Sequence, residues 1–170
     1  MKAKKIIFDY VIPISVAIVL AILIRQFVFF KIEVPTASMY PTIQDNDQII
    51  VTKVYNPTHL KRGDIVVFNS KELKEELIKR LIGLPGDKIQ VTSDGLVYVN
   101  GKKLNEPYVK DNGGKGGTYT VPYGHYFFLG DNRIDSFDSR YWKNPYIAAS
   151  DIEGKAQFII FPFNRIGILK

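Results

Sequence analysis

The sequence predicts a mainly β protein, with a single N-terminal transmembrane helix followed by a compact β-rich domain. Three observations predict it. One long apolar stretch stands at the start, Ile6 to Ile24. From residue 31 onward apolar residues come instead in short runs of strand length. Those runs are separated by Gly, Pro, Asn and Asp, the residues that turns require.

The stretch Ile6 to Ile24 is 19 residues long, broken only by Asp9, Pro13 and Ser15. As a helix it reaches roughly 28 Å, close to the hydrocarbon thickness of a bilayer. Asp9 lies near Lys4 and Lys5, Arg25 falls at the far interface, and Phe27, Phe29 and Phe30 follow just beyond. A cleavable leader has a similar basic and apolar start, but needs small residues after the apolar run. Arg25 to Phe30 is bulky, which favours a retained anchor. Lys2, Lys4 and Lys5 before the span outnumber Arg25 and Lys31 after it, so the N-terminus is expected inside. The expected organisation is a cytoplasmic segment at 1–5, an anchor at 6–24 in the cell membrane, and an extracytoplasmic domain at 25–170.

Strands are expected at Gln48 to Val54, Asp64 to Phe68, Lys88 to Val91, Leu96 to Val99, Tyr126 to Leu129 and Ala156 to Phe161. Asn100-Gly101 marks a hairpin between Leu96–Val99 and Lys102–Leu104. Arg62-Gly63-Asp64 and Pro85-Gly86-Asp87 mark further turns, and the glycines of 111–117 a mobile loop. Lys71 to Leu81 is ambiguous: its first half has helix-favouring composition, its second half alternates. A loop or short helix over 70–76 and a strand to 82 are expected, with Lys79 sharing a face with Leu77 and Leu81. Phe158 to Phe163 reads as a core strand, with contact to a membrane surface as the alternative.

Composition narrows the chemistry. The 170 residues contain no cysteine, which removes disulfides and thiol nucleophiles. The net charge of +6 is spread along the chain, and the basic tract from Lys71 to Arg80 is interleaved with acids, which argues against nucleic-acid binding. His59 and His125 sit beside turn residues and read as structural or surface groups. Asp87 and Asp131 follow glycines and read as turn-stabilising. No cluster has metal-ligand spacing, so neither metal nor cofactor is expected.

The chemistry-bearing pair is Ser38, in Val34-Pro35-Thr36-Ala37-Ser38-Met39-Tyr40-Pro41-Thr42, and Lys79, in Ile78-Lys79-Arg80-Leu81. A serine nucleophile needs a base, and a lysine kept neutral by burial can serve. Leu77 and Leu81 provide apolar surface that lowers a lysine pKa. Pro35 and Pro41 restrict the backbone on both sides of Ser38. Its amide, or the Thr36 hydroxyl, is placed to stabilise an oxyanion. A surface serine and a solvated Lys-Arg pair fit the same spacing, so the residues permit a dyad without requiring one.

Three blocks occur in order: Ser38-Met39-Tyr40-Pro41-Thr42; Lys79-Arg80-Leu81-Ile82-Gly83-Leu84-Pro85-Gly86-Asp87; and Gly130-Asp131-Asn132-Arg133 with Ser136, Asp138, Ser139 and Arg140. Together they resemble the boxes of type I signal peptidases, membrane-anchored Ser/Lys proteases. The resemblance runs from the anchor to about residue 162 and is to the compact forms typical of Gram-positive bacteria. It implies a β-rich catalytic domain in which Ser38 is the nucleophile, Lys79 the general base, and Thr36 with the Ser38 amide the oxyanion hole. Ser136 would orient the lysine, and Asp138 and Arg140 would form a supporting ion pair beside Asp131, Asn132 and Arg133. Met39 would help line the substrate cleft. Ile134 and Asp135 depart from the family, which usually has an acid and an amide there.

The implied activity is removal of signal peptides from secretory preproteins after small residues (Ala-x-Ala), by a monomer at the lipid bilayer. Two other functions remain open. One is a self-cleaving Ser/Lys protease of the SOS-repressor kind, which needs a DNA-binding domain where this chain has an apolar span. The other is a non-catalytic membrane-tethered β-domain or degenerate relative.

Overall fold

The computed structural model describes residues 7–169. The lysines at 2, 4 and 5 that set the expected orientation, and the 1–5 segment as a whole, lie outside the described residues.

A π-helical turn, Ile7–Val11, leads into α1 (Ile12–Phe27), with Pro13 in its first turn. From Asp9 to Phe27 the helix is long and apolar enough to cross a membrane, and none of it is buried against the domain. It runs three residues past Ile24 because Arg25 and Gln26 are good helix formers and Arg25 suits the negative end of the helix. The chain then enters β1 (Phe29–Glu33) directly, where Phe30 and Ile32 pack on the core.

The strands that follow are β2 (Gln48–Lys53), β3 (Ile65–Ser70), β4 (Glu75–Gly83), β5 (Lys88–Val91), β6 (Val97–Val99), β7 (Lys102–Lys103), β8 (Gly117–Thr120), β9 (His125–Leu129), β10 (Ile147–Ala148), β11 (Ile152–Phe161) and β12 (Gly167–Ile168). One antiparallel sheet has the order β1-β2-β11-β3-β4-β9-β10, with β12 added on β11. A smaller antiparallel sheet has the order β7-β6-β5-β8. Asn100 and Gly101 both take positive φ, 52° and 80°, and close a two-residue hairpin in which Val99 faces Lys102.

The segment 70–76 forms no helix. Residues 71–74 are a turn and β4 begins at Glu75, paired with Ser70. Hairpin closure overrides local propensity here: Lys74 N–H donates to the Ser70 carbonyl at 2.7 Å, and Leu73 N–H to its hydroxyl at 3.2 Å. Leu77 faces Phe68 and Lys79 faces Val66, so Lys79 shares its side of the strand with Leu77 and Leu81 as the alternation predicts. The 111–117 loop is held rather than left loose. The Gly113 carbonyl accepts from Arg140 at 2.8 Å, and Lys115 N–H donates to the Tyr141 hydroxyl at 2.9 Å.

Three apolar clusters make the core. The first gathers Val34, Met39, Ile43 and residues of β2, β3, β4 and β11; the second packs Phe68, Phe128 and Trp142. The third joins the two sheets through Ile82, Phe127 and Leu129 on one side and Ile89, Val91, Val97 and Val99 on the other. The segment Phe158 to Phe163 is divided: Ile159 is buried, whereas Phe158, Phe161 and Phe163 are exposed, Phe163 by 79%.

Candidate active site

Ser38 sits in a 3₁₀ turn, Ala37–Met39, entered through extended Thr36. Met39, expected to line a cleft, is fully buried with Val34 and Ile43, so the structure places it beneath the turn as an anchor. Asn132 clamps the turn from outside: its N–H donates to the Ser38 carbonyl at 3.1 Å and its side-chain amide to the Ala37 carbonyl at 3.2 Å.

Lys79 reaches the same point from the middle of β4. Its Nζ donates to Ser38 Oγ at 2.6 Å, and only 3% of the residue is exposed. Burial disfavours its ammonium and pushes the pKa from 10.5 down to about 8, against the opposing pull of Asp138 and Asp131. The neutral, proton-accepting form of the amine is therefore far commoner near neutral pH than for an ordinary lysine. The Thr36 hydroxyl lies 3.3 Å from Ser38 Oγ.

Ser136 is buried near Ser38 and Lys79, but its Oγ has no hydrogen-bond partner among the described residues, so the expected bond to Lys79 is not formed in this structure. Gly130 separates the two serines. A Cβ added there would stand 2.2 Å from Ser136 Oγ and 2.4 Å from the Ser38 carbonyl oxygen. Only glycine fits without moving the Ser38 backbone. Gly130→Ala is therefore expected to lower cleavage at least ~10-fold through displacement of Ser38. A variant retaining full activity would show that the turn yields without cost.

The remaining predicted residues form a buried ionic frame. Asp138 accepts from Arg140 Nε at 2.8 Å, Arg140 Nη2 at 2.9 Å and the Gly130 N–H at 3.0 Å. Arg140 also donates to the Arg133 carbonyl. Asp131 accepts from Arg80 at 2.8 and 2.6 Å and from the Thr42 hydroxyl at 2.5 Å. This ties the residue after Lys79 to the segment after Ser38, a firmer role than stabilising its own turn. Arg133 pairs with Glu106 and donates to the Gly130 carbonyl.

Sequence reasoning missed part of this frame. Arg80 is 1% exposed rather than solvated, and its guanidinium also lies 3.8 Å from the centre of the Tyr108 ring. A charged residue amid the apolar alternation of β4 was the available signal. Glu106 and Tyr108 follow the Asn-Gly hairpin, and nothing local marks them. Neither histidine bonds Ser38 or Lys79 among the described residues: His125 bonds the Tyr123 carbonyl, and His59 ends a separate 3₁₀ turn. Among the described residues no group of His, Asp and Glu is arranged to hold a metal ion.

Comparison with known proteins places the chain in a family. Residues 7–161 match the family described as signal peptidase, peptidase S26. The chain is 43% identical over 165 residues to signal peptidase I T of Bacillus subtilis, covering 90% of this chain and 84% of the relative. It is 42% identical over 161 residues to probable signal peptidase I-2 of Synechocystis, covering 90% and 72%. The crystal structure of a signal peptidase I from Enterococcus faecalis superposes with a TM-score of 0.50 at 36% identity, over 56% of this chain and 95% of that one. The chain belongs to the signal peptidase family, peptidase S26, a family of serine endopeptidases.

Proposed function

We propose that this chain is a membrane-anchored signal peptidase that cuts secretory preproteins after small residues, with Ser38 as nucleophile and Lys79 as general base. The observation that carries the reading is the 2.6 Å contact between Lys79 Nζ and Ser38 Oγ, with both groups buried. A non-catalytic domain gains nothing from burying an amine whose charged form the interior disfavours.

Neutral Lys79 takes the Ser38 proton while Oγ bonds the scissile carbonyl carbon and the C=O π electrons move onto oxygen. The Ser38 N–H and Thr36 hydroxyl stabilise that oxyanion. Collapse breaks the C–N bond, and the leaving nitrogen takes its proton from the Lys79 ammonium. Water, deprotonated by Lys79, then attacks the acyl-enzyme, and Ser38 Oγ leaves and recovers its proton. An extended substrate pairing with a strand edge would present its small side chains to the cleft.

The exposed apolar helix and the exposed Phe158, Phe161 and Phe163 fit a domain held against a bilayer with its active site outside the cytoplasm. The test is cleavage of an Ala-x-Ala preprotein by detergent-solubilised protein beside Ser38→Ala. The native chain is expected to cut at that site and the variant to show no cleavage above background. Its rate should rise from pH 6 to pH 9 with a midpoint near 8, since only the deprotonated amine is competent. Equal cleavage by both proteins, or a rate that falls with pH, would sink the assignment.

A further inference from the structure

The junction between helix and domain is hollow. A cavity of about 750 Å³ opens there, walled by Ile22 and Arg25 of α1, Phe29, Phe30 and Lys31 of β1, and Lys53 of β2. Its lining combines apolar surface with three cations and includes no carboxylate. Glu33, on the same strand as Lys31, stands two residues further on and does not line it.

The junction is tied rather than hinged. Lys53 Nζ donates to the Gln26 carbonyl at 2.8 Å, its N–H to the Val28 carbonyl at 2.9 Å, and the Tyr55 hydroxyl to the Phe27 carbonyl at 2.8 Å. These bonds satisfy carbonyls at the helix end that would otherwise lack partners. Lys31 Nζ donates to the Gln48 side-chain carbonyl at 3.2 Å. Every such partner is neutral. Arg25, Lys31 and Lys53 form no ion pair among the described residues, so three positive charges converge on one cavity uncompensated.

We propose that this cavity binds the head group of an anionic phospholipid from the leaflet on which the catalytic domain sits. The inference rests on the membrane-anchored reading above. If α1 spans the bilayer, its last turn lies at the depth of the lipid phosphates. Arg25, Lys31 and Lys53 receive the phosphate, and an acyl chain runs down the helix past Ile22. A free phosphate ion has no use for the apolar wall formed with Phe29 and Phe30, and the basic start of a signal peptide is repelled by the cations. Binding fixes the height and tilt of the domain, and so the position of Ser38 above the membrane.

The test is native mass spectrometry of the full chain, extracted in mild detergent, delipidated, and titrated with phosphatidylglycerol or phosphatidylcholine. The comparison is with Arg25→Gln/Lys31→Gln/Lys53→Gln and with a control, Lys102→Gln/Lys103→Gln, on the exposed β6–β7 hairpin. The native chain and control are expected to retain phosphatidylglycerol at least ~10-fold better than phosphatidylcholine, and the triple variant to lose that preference while still melting cooperatively as a folded chain. Equal uptake of both lipids by the native chain, or equal loss in the control, overturns the site. Displacement of the lipid by millimolar inorganic phosphate reduces it to an ion site and also overturns the proposal. A raised KM for the triple variant in lipid-free detergent assigns the cations to the preprotein and does the same. Carbonate washing of membranes separates the two readings. Release of the chain overturns anchoring and this site together, whereas retention without lipid preference overturns the site alone.

Discussion

Lys79→Met is expected to lower the cleavage rate by ~10³-fold or more and, at the same pH of 7, to make the domain more stable. The rate falls because methionine cannot take the Ser38 proton. The stability gain follows from proton linkage. The folded-state pKa of about 8 lies below the unfolded value of 10.5, so between these values the unfolded chain binds more protons. Burying the amine therefore costs the native state about 3 kcal/mol at pH 7. The penalty is full below pH 8, is relieved as pH rises through the window, and is gone above 10.5. Methionine has similar length and no charge to desolvate. After losing the bond to Ser38 it should still stabilise by about 1–3 kcal/mol, a rise of a few degrees in melting temperature. Melts of both proteins at pH 7 and pH 10 check this, because titration of every other group cancels in the comparison. The gap should shrink by more than half at pH 10. A variant that melts lower at pH 7, or a gap indifferent to pH, would show that the lysine is not held at a stability cost.

The Ser38–Lys79 contact was legible because two kinds of signal converged. The alternation Leu77, Lys79, Leu81 placed the lysine on an apolar side of a strand, and the ordered boxes supplied its partner 41 residues earlier. What escaped were contacts that depend on tertiary closure. Asn132 holds the Ser38 turn mainly through backbone carbonyls, which no side-chain pattern records. Glu106 and Tyr108 come from beyond the small-sheet hairpin and reach Arg133 and Arg80 only once the sheets pack. Of the loop or short helix expected over 70–76 the structure takes the loop, and the strand begins at Glu75, because propensities of a few tenths of a kcal/mol per residue cannot oppose a hairpin closed by two flanking strands. The glycines of 111–117 mark a permissive backbone, and permissiveness does not distinguish a free loop from one pinned by Arg140.

That pinning makes Asp138 the residue whose loss should cost the most stability. Its carboxylate and the Arg140 guanidinium are both fully buried, and the aspartate also holds the Gly130 N–H beside the two serines. Asp138→Asn removes the only negative partner of Arg140 among the described ion pairs, leaving a cation faced by the Gly113 and Arg133 carbonyls. An uncompensated buried charge of this kind costs about 3–5 kcal/mol. The variant should melt roughly 6–15 °C lower or fail to accumulate. Asp138→Asn/Arg140→Gln removes the stranded charge as well and should recover part of that loss, since the two effects couple through one contact. Whatever activity survives in the single variant carries a second signature. Asp138 supports the charged form of Lys79, so its loss should move the midpoint of the rate–pH profile below 8. A single variant that melts with the native chain, or a double variant no better than the single, would show that the pair does not frame the site. An unmoved pH midpoint would show that Asp138 does not act on Lys79 through its charge.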